Sequence, residues 1–342
     1  MTDEKIERVK KVKEDKPKGN YFVEDKPLQF ISSGCTTLDC VLGGGYPLGR
    51  VSNNIGDKSS GKTLEAIEIC ANFNNTFPDG EIRYHEAEAA FDKGYAETLG
   101  LPVEKITFVD EDPDVSKNTV EDLFNELQDM TEKLGKSGKP GLYIIDSLDA
   151  LTDKAEQERE IDAGSFGTGK AKQMSSMFRR LTKDIEKTKI HLHVISQIRD
   201  KIGVTFGAKT TRSGGHALDF YASQVIKFAE VEKIKKTIKG VERIIGIWVK
   251  AKNTKNKVGL PYRDCEFPIY FGYGINSLES DLNWLKEIKS LSELGIDDKE
   301  IRKLSEKHMD DPDRELAQRV AEHVKKCWKE IDSSFMPKAK KY

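Results

Sequence analysis

Residues 51–63 read VSNNIGDKSSGKT, and this stretch decides the fold. Its second half, Gly56–Thr63, matches G-x-x-x-x-G-K-[ST], the phosphate-binding loop. Gly56 and Gly61 let the chain curl tightly, so that the N–H groups of Asp57, Lys58, Ser59 and Ser60 face a polyphosphate. Lys62 is the residue type that reaches β- and γ-phosphates, and the Thr63 hydroxyl suits Mg²⁺. The run that begins at Leu64, LEAIEICANF, is amphipathic and helical, so the loop delivers phosphate to a helix N-terminus. The segment before Gly56 reads as a strand entering the loop.

Outward from the loop, strands and helices alternate. Leu28–Gly34 reads as a strand, Thr37–Leu42 as a short helix and Gly43–Gly45 as a turn. Downstream, Glu81–Tyr84, Ile106–Val109, Gly141–Asp146 and Ile190–Ile195 read as strands. Helices are expected at Val120–Leu134, capped by Asn118 or Thr119, and over Glu156–Lys187 around a glycine-rich interruption at Gly164–Gly169. That alternation predicts a doubly wound, mostly parallel α/β sheet. Val225–Lys227 and Ile244–Lys252 continue as strands, with a hairpin turn at Lys233–Gly240. From about Leu278 the pattern turns helical, near Leu282–Leu294, Asp298–Lys307 and Arg314–Ile331, with a break at Asp310–Pro312. The expected organisation is an N-terminal helix and linker over 1–30, an α/β core over 31–277, and a small helical domain over 278–342 with a basic tail.

Charged residues make up 33% of the chain, yet the net charge is only −2, so any nucleic acid must be held by a local basic patch. Five cysteines without a C-x-x-C pair fit reduced thiols in an intracellular protein. No apolar run approaches the length that spans a bilayer, and the N-terminus is charged; a soluble cytoplasmic protein without a membrane partner is expected. Residues 2–19 carry Ile6, Val9 and Val12 at helical spacing, either a solvated tail or a helix that docks on a neighbouring subunit.

Several side chains carry candidate chemistry. Asp146, closing an apolar strand after the phosphate loop, sits where a carboxylate assists Mg²⁺. Glu86, Glu88 and Asp92 crowd one strand end, where a carboxylate can activate water, and periodicity does not choose among them. Gln197, just past another strand end, is placed to sense a γ-phosphate or is an ordinary surface residue. Two glycine-rich, charged stretches read either as mobile surface loops or as loops whose glycine N–H groups and cations suit phosphates. Asp162–Lys172 combines Phe166 with Lys170 and Lys172; Arg199–Gly215 combines Arg199, Lys201, Lys209 and Arg212 with Ile202, Val204 and Phe206. His191 and His193 share a strand face but have no third ligand in view, and read as packing residues.

Read together, these motifs resemble the bacterial RecA-type recombinases. The phrases SSGCTTLDCVLGGGYPLGR, GDKSSGKT, EAEAAFDKGYAETLG, IIDSLDALTDKAE, QIRDKIGVTFG, SGGHALDFYAS and FGYGIN carry the resemblance, in the family's order from about Ile31 to Asn276. It implies a RecA-like P-loop ATPase core that binds ATP and Mg²⁺. It also implies a helical filament of many copies on single-stranded DNA, which pairs with duplex DNA and exchanges strands during repair. Loading mediators and a single-strand-binding protein are implied partners. By resemblance, Gly56–Leu64 hold the nucleotide, Thr63 and Asp146 hold Mg²⁺, and Glu88 activates water. Asp92 and Tyr95 hold adenine, and Gln197 couples the γ-phosphate to the second loop. Lys172, Ser175, Arg179, Gly214 and Gly215 fall at DNA-facing positions, and the loop chemistry read above adds Arg199, Phe206 and Arg212 as DNA-binding candidates. Phe220 falls at a subunit contact, and Lys255 and Lys257 at the pair that reaches a neighbour's ATP.

The chain also departs from the pattern. Asp219 replaces a basic residue after GGHAL, and KAKNTKNK carries extra residues that bring Lys250 and Lys252 into competition with Lys255 and Lys257. The C-terminal part keeps little of the family pattern. A hexameric helicase would share the loop and Asp146 but not QIRDKIGVTFG; a non-catalytic ATP-binding paralogue would not need Lys62, Thr63, Glu88 and Asp146 all intact.

Overall fold

A computed structural model describes residues 27–88, 91–109, 118–157, 168–200, 210–212 and 215–339. In chain order the elements are β1 (Phe30–Ile31), α1 (Thr36–Leu42), β2 (Tyr46–Pro47), β3 (Val51–Gly56), α2 (Lys62–Thr76), β4 (Glu81–Glu86), α3 (Lys93–Thr98) and β5 (Ile106–Phe108). Next come α4 (Val120–Ser137), β6 (Gly141–Asp146), α5 (Lys154–Gln157), α6 (Thr168–Thr188), β7 (Ile190–Asp200), β8 (Thr210–Arg212) and α7 (Gly215–Tyr221). The rest is β9 (Gln224–Ile238), β10 (Val241–Asn256), β11 (Asp264–Tyr270), β12 (Gly274–Ile275), α8 (Ser277–Glu287), α9 (Ile301–Asp310) and α10 (Arg314–Ser334).

The main sheet runs β12-β11-β10-β9-β3-β7-β6-β4-β5. From β9 through β3, β7, β6 and β4 to β5 every pairing is parallel; β9 to β12 pair antiparallel. This is the doubly wound α/β sheet that the alternation of apolar strands and amphipathic helices predicts. GLYIID is buried at all six positions because β4 and β7 flank it and helices cover both faces. One apolar layer joins α1 and α2 to the sheet, and another joins α4 and α6 to its opposite face. Thr119, not Asn118, caps α4: its hydroxyl accepts from Asp122 N while the Asp122 carboxylate takes Thr119 N, a reciprocal capping box.

Several boundaries differ from expectation. The hairpin turn lies only at Lys239–Gly240, where both residues have positive φ; Lys233–Ile238 is strand. β9 and β10 run beyond the sheet as a two-stranded ribbon with solvent on both faces, so neither apolar alternation nor a continuous run marks them. α6 starts at Thr168, so Gly169 lies inside a helix. The first C-terminal helix is α8, beginning at Ser277 rather than Leu282, because the Asn276 side chain caps it on Glu279 N. Leu278, Leu282 and Leu285 form its buried stripe, and they join Ile301, Val320 and Val324 in a separate small core. The expected N-terminal helix, Phe166 and the rest of 158–167, Phe206, Gly214 and the last residues of the basic tail lie outside the described residues.

Candidate functional site

Gly56 ends β3 and Lys62 opens α2, so the loop between them crosses the C-terminal edge of the parallel strands. Geometry requires both motif glycines. A Cβ on Gly56 would lie 2.5 Å from the Phe228 carbonyl oxygen and 2.8 Å from Ser60 Oγ. Gly61 has φ +85°, and a Cβ there would meet Ile269 Cδ1 at 2.4 Å. Lys62 Nζ lies over the loop and donates to the carbonyls of Gly56 (3.1 Å) and Asp57 (2.6 Å) and to Ser60 Oγ (3.2 Å). Burial lowers the Lys62 pKa, against the pull of the Asp146 and Glu88 carboxylates.

Above the loop is an open cleft of about 560 Å³. Lys58–Leu64 form its floor; Glu88, Asp146, Ser147 and Gln197 stand on one side, and Ile195, Ile247, Ile269 and Phe271 supply apolar wall. Asp146 accepts a hydrogen bond from Tyr84 Oη at 3.0 Å and is bonded to the Thr63 side chain. Burial, reinforced by Glu86 and Glu88, pushes its pKa up to about 6. A hydroxyl and a carboxylate side by side are hard oxygen donors, a set that fits Mg²⁺.

The acidic cluster separates by geometry. Glu86 spends its two oxygens on its own loop, accepting from Glu88 N at 3.1 Å and Phe91 N at 2.7 Å. Asp92 caps α3 by accepting from Tyr95 N at 2.9 Å. Glu88 alone of the three lines the cleft, bonded to Ser147 Oγ and to Gln197 Nε2 (2.7 Å). Tyr95 and Asp92 lie outside the lining residues, with Tyr95 bonded to the backbone of Gly272 next to Phe271.

Gln197 is within β7, opposite Gly56 in the β3 ladder, and not past the strand's end. The strand continues because Ile198–Asp200 pair antiparallel with β8, which closes the base of the second loop. Asp149 Oδ2 accepts from Gln197 N at 2.6 Å, which anchors the backbone while the side chain reaches Glu88.

Of the DNA-facing candidates, Lys172, Ser175 and Arg179 share one face of α6 at helical spacing, with Lys172 and Arg179 exposed; Met174, Met177 and Phe178 are buried. Lys170 turns inward, donating to the carbonyls of Leu148 (2.6 Å) and Leu151 (2.5 Å). Arg199 and Arg212 belong to the β7–β8 ladder, and Gly215 begins α7. At the other end of α7, Lys255 Nζ donates to the carbonyls of Asp219 and Phe220 (3.0 Å), and Lys257 Nζ to Phe220 at 3.4 Å, beside a Phe220 ring that is 71% exposed. Lys250 is held by Asp264 (3.3 Å) and Glu266 (3.2 Å), while Lys255 and Lys257 gather beside Phe220. His191 and His193 are fully buried; His191 Nδ1 meets the Pro47 carbonyl at 2.9 Å and His193 faces Glu65 at 3.6 Å.

Sequence reasoning missed Ser147 and Phe271. Ser147 follows Asp146 directly, but a serine after an acidic strand end is too common to stand out. Phe271 lies within FGYGIN, yet only the folded chain shows its exposed ring over the loop.

A glycine-shaped loop between a parallel strand and a helix, with a lysine over it and a carboxylate ending β6, one strand beyond β7, defines a P-loop nucleotide-binding α/β protein. The model of the RecA N-terminal domain matches residues 18–276. Among similar proteins, "Protein RecA" of Synechococcus sp. (strain CC9605) is 37% identical over 76% of this chain and 65% of its own length. "Protein RecA" of Prochlorococcus marinus (strain NATL1A) is 36% identical over 78% and 67%, and that of Nostoc punctiforme (strain ATCC 29133 / PCC 73102) is 37% identical over 73% and 65%. The chain belongs to the RecA N-terminal domain family. It spans about 65% of the length of the first relatives it matches.

Proposed function

We propose that the chain is an ATP-dependent DNA recombinase, a DNA-stimulated ATPase that forms a filament on single-stranded DNA and pairs it with homologous duplex. One observation carries the reading beyond nucleotide binding: Gln197 bonds the cleft carboxylate Glu88 from the strand that runs into the Arg199–Gly215 loop. One side chain can thereby register both the nucleotide and the loop.

In this reading Lys62 and the loop amides bind the phosphates. Thr63 and Asp146 hold Mg²⁺, which would neutralise phosphate charge. Glu88 takes a proton from a water whose oxygen bonds to the γ-phosphorus, while the bond to the bridging oxygen breaks and ADP leaves. Asp92 and Tyr95, with Phe271 nearby, hold the base. Lys255 and Lys257 reach a neighbour's nucleotide, which makes filament and ATP interdependent. Lys172, Ser175, Arg179, Arg199, Phe206, Arg212, Gly214 and Gly215 face DNA. The chain divides into a linker to residue 30, a core to 277 and a helical domain beyond, working in the cytoplasm with loading mediators and a single-strand-binding protein. Among the described residues no helix is long and apolar enough to cross a membrane.

Negative-stain imaging with single-stranded DNA tests this directly. Regular helical filaments should form with a non-hydrolysable ATP analogue and be sparse or irregular without it. Closed rings that unwind duplex from an end would refute the reading in favour of a helicase.

A further inference from the structure

Ser147 stands between the end of β6 and a turn at Leu148–Ala150, and is 1% exposed. Its hydroxyl donates to Glu88 Oε1, the same oxygen that receives the Gln197 amide. Two donors, one just past the end of β6 and one on β7, therefore converge on one oxygen of an exposed carboxylate that follows the end of β4. Their mobility differs. The serine hydroxyl turns about a single torsion on a buried, bonded backbone, where Ala150 N donates to the Ser147 carbonyl at 3.1 Å. The neighbouring Ala87 N donates to the Asp146 carbonyl at 2.7 Å, which fixes the Glu88 segment against the same strand end. Gln197 has a long side chain with three torsions and lines the open cleft.

We propose that Ser147 is the permanent positioning residue for Glu88: it engages Oε1, directs Oε2 toward the attacking water, and keeps that orientation when Gln197 swings away to a γ-phosphate. The two contacts divide the work. The short, buried donor sets the geometry of the base, and the long, movable donor reports the state of the nucleotide. Without Ser147 a glutamate on irregular backbone samples several rotamers, and only a fraction place an oxygen within reach of the water. This inference rests on the reading of Glu88 as the base.

The test is a double-mutant cycle on the full chain, with DNA-stimulated ATP hydrolysis as the rate and a fluorescent ADP analogue for affinity. Ser147→Ala, and Ser147→Cys as a near-isosteric second variant with a poor donor, should lower kcat by about tenfold or more, the scale of a lost hydrogen bond to a charged group. KM and ADP affinity should stay within about twofold, as expected when only the reacting geometry is disturbed. In a Glu88→Gln background the same substitutions should cost nothing further, because their effect passes through Glu88. Full wild-type kcat in both serine variants would overturn the proposal. So would an equal loss in the Glu88→Gln background, which would mark a general packing defect. Absence of hydrolysis in the wild-type chain would instead overturn the ATPase reading itself.

Discussion

The two glutamates Glu86 and Glu88, two residues apart, should fail in opposite ways when each is changed to glutamine. Glu86 accepts two backbone N–H groups with its two oxygens, at 3.1 and 2.7 Å. Glutamine keeps one acceptor and turns an NH₂ group against the other N–H, so one charged hydrogen bond is lost, about 1–3 kcal/mol. For a chain of this size each kcal/mol lowers Tm by about 1–2 °C. Glu88 makes its contacts to Ser147 and Gln197 at the rim of an open cleft and holds no backbone group within the described residues. Its glutamine variant should keep the wild-type Tm. As the base, it should lose about 10²–10⁴-fold in kcat, or roughly 3–5 kcal/mol of barrier. ATP-dependent filaments should persist or lengthen, since Lys62, Thr63 and Asp146 remain. Differential scanning fluorimetry and a coupled ATPase assay on purified variants separate the two outcomes. If Glu86→Gln lost the hydrolysis and Glu88→Gln lost only stability, the assignment drawn from the cleft geometry would be wrong.

Lys62→Ala should remove hydrolysis and ATP-driven assembly together, because the γ-phosphate loses its point charge above a glycine-lined loop; near-normal turnover would defeat the nucleotide reading. Gln197→Ala should bind ATP but lose the difference in DNA affinity between an ATP analogue and ADP, read by fluorescence anisotropy, and a retained difference would move the switch to the subunit interface. Asp281→Asn tests the buried seam between α8 and α1. Burial, joined by the Asp39 carboxylate and opposed by Thr36, Ser277 and Lys325, pushes the Asp281 carboxyl up to about 8. An acid whose folded pKa lies above its unfolded value keeps its proton when folded, so wild-type stability falls as pH rises from about 4 to 8. The Tm advantage of Asp281→Asn should therefore grow between pH 5 and pH 8; an advantage independent of pH would remove the linkage.

The phosphate loop, the strand ending in Asp146 and the alternation that builds the parallel sheet are legible in the residues alone. Each is local: glycine spacing, a lysine–threonine pair, apolar runs and helical stripes report short-range physics. The cap at Asn118 or Thr119 and the break at Asp310–Pro312 are equally local, because each depends on residues within about one turn. The order of the strands across the sheet is not, since it depends on which strand ends meet. Nor could periodicity choose among Glu86, Glu88 and Asp92. That choice depends on which carboxylate is consumed by nearby N–H groups, and on β6 and β7 bringing Ser147 and Gln197 to Glu88 from 59 and 109 residues away. The solvated β9–β10 ribbon follows the same rule, as do the contacts of Lys250 with Asp264 and Glu266 and of Lys255 with the helix end at Phe220, all made between distant residues. The sequence alone determines the glycine-rich loop between β3 and α2; only the tertiary fold decides which acid faces it, because that acid is selected by neighbours far away along the chain.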